Sequence, residues 1–166
     1  MDLAQFVTSL RIVEVLADFA TTIRVRRRPA GEVETFTSAD GDARLDAPMS
    51  TEDLAHILLR FEGGARGSIV VSQVSFGRKN SLWIELDGSA ESAAWDSESN
   101  EELWLGHRDR PTEILRRDPA LYADAARGEP ADEPEYPTFR DGHVENVIGD
   151  ALALSNSKQR WVEVPL

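Results

Sequence analysis

Cysteine is absent from all 166 residues. That removes disulfide scaffolds, thiolate nucleophiles and every thiolate-ligated metal site from consideration. Basic residues are outnumbered: 18 Lys and Arg against 30 Asp and Glu leave a formal net charge of −12. Phosphate neutralisation needs a cationic surface, so nucleic acid is not an expected partner. No apolar run approaches the roughly 18 to 20 residues of a membrane-spanning helix. The opening MDLAQFVTSL lacks the charged, apolar and cleavage regions of a secretory signal. The expected setting is therefore cytoplasmic, with no membrane partner. A glycine fingerprint between strand and helix, a Walker A loop and a G-x-S-x-G elbow are also missing. What is present, 41% hydrophobic and 29% charged residues, is the balance of one globular domain, expected over 1–166.

The periodicity alternates between helix and strand signals. Leu3, Phe6, Val7 and Leu10 recur at helical spacing behind Asp2, a candidate N-cap. In RIVEVLADFATTIRV, Ile12, Glu14, Leu16, Asp18 and Ala20 alternate with Val13, Val15, Ala17 and Phe19, the pattern of a long strand. Arg26, Arg27, Arg28 and Pro29 are expected to stop it, with a loop or weak hairpin to Pro48. Three pairs of strands follow: 53–62 with 66–75 around Gly63 and Gly64, 80–87 with 90–96, and 101–107 with 112–117. Short turns of this kind join antiparallel neighbours. Residues 118–137 form an acidic, proline-containing loop, with a short helix open at 119–127. A second helix over 138–155 carries the stripe Val144, Val147, Ile148, Ala151, Leu152 and Ser155. Trp161–Val164 reads as a last strand. The fold class is α+β: an open-faced, largely antiparallel sheet with the 2–10 and 138–155 helices packed on one face.

Few residues advertise chemistry. His56, His107 and His143 are far apart in sequence and lack metal-ligand spacing, so no metal is expected. Arg78, Lys79 and Asn80 occupy a turn between strands, either as a solvated basic turn or as a group facing a substrate. His107, beside Arg108, ends a strand. His143 falls in the first turn of the last helix, where free N–H groups attract hydroxylated or anionic ligands. Trp83, Trp95, Trp104 and Trp161 are read as strand residues that anchor sheet packing rather than as a sugar platform.

Residues 51–109 carry Gly77-Arg78-Lys79-Asn80, Asp87-Gly88-Ser89, Ala94-Trp95-Asp96-Ser97, Glu102-Leu103-Trp104 and Gly106-His107-Arg108. With Asp2-Leu3-Ala4, Arg11–Val15 and Arg160–Val164, they make the chain resemble the C-terminal domain of the glucose–fructose oxidoreductase / inositol dehydrogenase / MocA family. The resemblance implies a substrate-binding and oligomerisation domain of an NAD(P)-dependent oxidoreductase acting on a small sugar or polyol. It implies NAD or NADP for the complete enzyme and no cofactor in this chain. The family's nucleotide-binding half, with its glycine fingerprint and Glu-Lys-Pro segment, lies outside these residues, and so does its Asp-x-x-x-His pair. No catalytic residue is therefore expected here, and the chain alone should be inert. The resemblance also lends Arg78, Lys79, Asn80, His107 and His143 a substrate-facing role.

Strands 53–62 and 66–75 are apolar on both alternations, and two helices cover only one face. The uncovered face, with Val70 and Ser72 on the outward alternation, is expected to bury itself against a second copy, as a homodimer or a larger assembly. Family members commonly assemble through this sheet. An alternative reading is a stand-alone interaction or regulatory protein that keeps the sheet without catalysis.

Overall fold

The computed structural model describes residues 1–30, 44–117 and 137–165. The chain divides into two compact units, Met1–Ser75 with Tyr136–Leu166, and Phe76–Glu135. Among the described residues no helix is long and apolar enough to cross a membrane.

In the first unit, helix α1 (Asp2–Thr8) leads into strand β1 (Ile12–Ala20), and β2 (Val25–Pro29) pairs with β3 (Arg44–Pro48) as a separate two-stranded ribbon. β4 (Leu54–Phe61) and β5 (Arg66–Ser72) follow. After residue 136 come helix α2 (Phe139–Lys158) and the two-residue β10 (Val162–Glu163). The main sheet has the order β10-β1-β4-β5, antiparallel throughout. The β4–β5 turn is a 3-10 turn at Glu62–Gly64, in which Gly63 (φ 74°) and Gly64 (φ 96°) take the left-handed backbone that side chains disfavour.

The inner face of that sheet is the core. Ile12, Val15 and Ala17 of β1 and Ile57, Leu59 and Phe61 of β4 are buried together with Ile148, Ala151 and Leu152 of α2. Each large side chain of this set stabilises the fold by about 1.5–3 kcal/mol through burial. The helical stripe read at 144–155 is the stripe that packs. α2 also completes the sheet edge where β10 runs out. The buried Ser155 hydroxyl accepts the Ala17 N–H at 3.0 Å and donates to the Arg160 carbonyl at 2.6 Å. The Asn156 side-chain oxygen accepts the Phe19 N–H at 2.8 Å.

Helix α1 joins the same face through Met1 and Ala4, and its terminal ammonium lies 3.3 Å from Glu145 of α2. The expected α1 stripe is corrected: Leu3, Phe6 and Val7 are exposed, because the short helix docks on its first turn. Asp2 is not the cap. Met1 precedes the helix and no side chain caps it.

Two further expectations change. A bulge between Ile12 and Glu14 puts Ile12 on the inner face with Val15, Ala17 and Phe19, rather than with Glu14 and Leu16. The strand also ends at Ala20, and Arg26–Pro29, expected to be a stop, are part of β2. The break is fixed by Asp53, which is buried at 3% exposure. Its carboxylate accepts the Thr22 N–H (2.8 Å), the Thr22 hydroxyl (2.7 Å) and the Ile23 N–H (2.9 Å). Nothing in the alternation of residues 12–25 signals a partner 30 residues away.

The second unit is a four-stranded meander: β6 (Trp83–Asp87), β7 (Glu91–Asp96), β8 (Glu102–His107) and β9 (Glu113–Arg116), in that order and antiparallel. Gly106 is needed here. A Cβ at this position would lie 2.4 Å from the Trp104 ring, two residues away on the same face. Trp83, Trp95 and Trp104 sit in strands as expected; Trp161 precedes β10 and stacks on the Arg60 guanidinium at 4.1 Å. The loop at 118–136, with its 119–127 helix, lies outside the described residues.

Candidate functional site

The N-terminus of α2 opens on a groove of about 700 Å³ lined by Pro137, Thr138, Phe139, Gly142, His143 and Asn146. Thr138, one of the lining residues, forms a capping box with Asp141. The Asp141 carboxylate accepts the Thr138 N–H at 2.7 Å and the Thr138 hydroxyl at 2.6 Å, while the Asp141 N–H donates to the Thr138 oxygen at 3.4 Å. The Thr138 hydroxyl and then its N–H hold the Asp141 carboxyl below its ordinary value. The helix dipole therefore already faces a carboxylate, which disfavours an anion and leaves neutral hydroxyl groups as the better match. His143 sits one residue into the second turn, not in the first turn as its sequence position suggested. The Asn146 amide nitrogen donates to the Gly142 carbonyl at 2.9 Å, which fixes its side chain at the groove wall.

In the second unit, Arg78, Lys79 and Asn80 form an exposed loop ahead of β6. Gly77 (φ 79°) and Asn80 (φ 61°) are left-handed and turn the chain there. Arg78 is ion-paired with Glu98. Ser97 ties the loop down, its hydroxyl accepting the Leu82 N–H at 2.8 Å and its N–H donating to the Leu82 carbonyl at 2.9 Å. Lys79 has no carboxylate within ion-pairing distance among the described residues.

His107 lies at the other end of the same sheet. β6 begins beside Asp96, whereas His107 faces Glu91 across β7 and β8. Its side chain is 1% exposed. Nδ1 is 3.0 Å from Glu91 Oε1 and Nε2 is 3.7 Å from Glu113. Arg110 reaches the same Glu91 oxygen at 3.0 Å and Glu113 at 3.5 Å. Hydrogen bonds from Arg110 and then His107 hold the Glu91 carboxyl below its usual range. A ligand would reach His107 only by displacing this cluster, which pins the Arg108–Pro111 turn between β8 and β9.

The structure thus sets the five expected site residues in three places: 78–80 and 107 at opposite ends of one sheet, and 143 at the helix groove of the first unit. Sequence reasoning missed Thr138, Asp141 and Asn146. The Thr-x-x-Asp spacing before an apolar stripe was the available signal. His56 is exposed on the outer sheet face between Leu54 and Leu58, and no three His, Asp or Glu side chains among the described residues are arranged to hold a metal.

Gly63 and Gly64 turn between two strands, Gly106 is inside a strand, and Gly142 and Gly149 are inside α2.

An antiparallel sheet with helices packed on one face defines an α+β domain. Residues 1–94 match the GFO/IDH/MocA C-terminal domain, and the chain belongs to that family. The curated levoglucosan dehydrogenase of Pseudarthrobacter phenanthrenivorans is 24% identical over 198 residues, covering 99% of this chain and 49% of its own length. A solved oxidoreductase domain protein from Kribbella flavida is 26% identical, with a TM-score of 0.75 over 99% of this chain and 49% of that one. Levoglucosan dehydrogenase in its apo form is 25% identical, with a TM-score of 0.80 over 99% and 48%. The chain spans about half the length of the relatives it matches.

Proposed function

We propose that this chain is the substrate-binding and assembly domain of a cytoplasmic NAD(P)-dependent oxidoreductase acting on a small sugar or polyol, and that it is inert by itself. The observation that carries the reading is likeness over 99% of the chain to levoglucosan dehydrogenase, at a TM-score of 0.80. A related structure of that enzyme holds NADH and levoglucosan. The dipole-compensated groove at His143 suits a neutral hydroxylated ligand better than an anion, and the Lys79 ammonium, unpaired among the described residues, suits oxygen acceptors. We assign one set of substrate contacts to Lys79, flanked by Arg78 and Asn80, in the second unit, and another to His143 in the first, with His107 holding the β8–β9 turn at the far end of its own sheet.

Assembly uses the outer face of the main sheet. Leu16, Leu54, Leu58 and Val70 point away from α2, and Val70 is 62% exposed. The Glu14–Arg60 ion pair, at 2.6 Å, borders them. Two-fold symmetry lets this patch cover its own copy. Two experiments test the reading. The isolated chain should give no heat with NAD or NADP in calorimetric titration, and measurable binding would reject the division of labour. In sedimentation the chain should associate at about 10–100 μM, and Val70→Asp should yield monomers; a monomeric unmodified chain would reject the assembly role.

A further inference from the structure

The groove at the start of α2 carries one side chain that the fold does not use. Phe139, the first residue of the helix, is 102% exposed, so no described residue covers its ring. A bare phenyl group there adds nothing to the core and leaves apolar surface in water. Phe139, His143 and Asn146 stand four and then three residues apart, which sets them on one face of the helix, and all three line the groove. Among them lies Gly142, where an added Cβ would meet nothing within 4 Å. Its backbone is not left-handed, so the turn does not require a glycine, and the missing side chain leaves the groove open.

The walls of the groove differ in chemistry. Pro137 and Phe139 are apolar. His143 has no hydrogen-bond partner among the described residues, and the Asn146 amide is fixed to the Gly142 carbonyl through its nitrogen, which leaves its oxygen free to accept. A wholly apolar ligand would leave both polar groups unpaired. A phosphate would meet the Asp141 carboxylate that already faces the helix dipole. An aromatic ring beside a hydroxyl-binding edge matches a molecule with an apolar C–H face and a rim of hydroxyls. A closed sugar ring is rigid and has both. An open-chain polyol has no fixed apolar face, and ordering its torsions into one costs affinity.

We propose that Phe139 selects the ring form of the sugar, stacking on its C–H face while His143 and Asn146 take its hydroxyls, so that the substrate class is cyclic sugars rather than open-chain polyols. This rests on His143 being a substrate contact. Phe139 takes no part in the chemical step and acts on specificity alone.

The test measures dissociation constants for the complete enzyme by saturation-transfer NMR, with D-glucose against D-glucitol and D-xylose against D-xylitol as matched probes. The unmodified enzyme should bind each ring sugar about three- to tenfold more tightly than its open-chain counterpart. Phe139→Ala should abolish that preference by weakening the ring sugars alone, and Phe139→Trp should keep it. Gly142→Leu, with circular dichroism to verify the fold, fills the open space and should weaken rings and chains together. His143→Ala should also weaken both. If His143→Ala weakens binding while Phe139→Ala treats ring and chain alike, ring selection is overturned and His143 remains a substrate contact. If His143→Ala changes nothing, the assignment of His143 falls and the proposal with it. An unmodified enzyme without ring preference overturns the proposal, as does a Phe139→Ala loss confined to NAD or NADP affinity or to self-association, which would set another surface on the phenyl ring.

Discussion

The two units solve the same problem, an antiparallel sheet with apolar side chains on it, in different ways. In the first, a 20-residue helix lies across one face, and ten side chains are buried in a continuous cluster. In the second, no α-helix is present among the described residues, and of the apolar residues of β6–β9 only Ala94 is buried. The difference teaches where stability and presentation reside. The first unit is held by side-chain burial; the second is held by its ladder and by surface ties such as Ser97–Leu82 and the His107–Glu91–Arg110 cluster.

The sharpest way to break the comparison is truncation. Ile148→Ala, at a fully buried position, should cost about 2–5 kcal/mol in denaturant unfolding. Leu103→Ala, half-buried in β8, should cost less than half as much. Equal losses would show that the second sheet has a core of its own.

Acid probes the root of the β2–β3 ribbon. The Thr22 N–H foremost, then the Ile23 N–H, the Thr22 hydroxyl and Arg26, hold the Asp53 carboxyl below its ordinary 3.8. A carboxylate with a depressed folded-state value stabilises the protein above the unfolded value and loses that contribution as pH falls through the folded one. The unmodified chain should therefore lose stability below about pH 4 more steeply than Asp53→Asn. Coincident acid limbs in urea melts at several pH values would contradict this account.

The smallest effect concerns Gly106. Adding a methyl there displaces the Trp104 ring, whose off-rotamer cost is about 0.5–1.5 kcal/mol, so Gly106→Ala should lower stability by that scale and shift tryptophan emission to the red. An unchanged spectrum would show that the ring does not lie on the glycine.

The same contrast governs what the sequence reveals. The α2 stripe at 144–155 and the hairpins from 54 to 116 are legible because local alternation, glycine turns and helical spacing act over short distances. Ile12 defeats alternation because one bulge moves it to the other face. Arg26–Pro29 read as a stop because a ribbon with no buried face leaves no hydrophobic pattern. His107 and Arg78 read alike in sequence, each a basic group at a strand end, yet one is enclosed by Glu91, Glu113 and Arg110 while the other is exposed and paired with Glu98. Those distinctions depend on partners 16 to 20 residues away. The capping residues of the α2 groove lay within reach of local reasoning.

The central claim is that this chain supplies substrate contacts and no cofactor contacts. Steady-state kinetics of the complete enzyme carrying Lys79→Ala or His143→Ala, with sugar and nicotinamide cofactor varied independently, tests it most directly. Loss of a hydrogen bond to a charged or buried group is worth about 1–3 kcal/mol, so KM for the sugar should rise about fivefold or more while KM for the cofactor stays constant. An unchanged sugar KM in both variants, or a rise in the cofactor KM instead, would contradict the account.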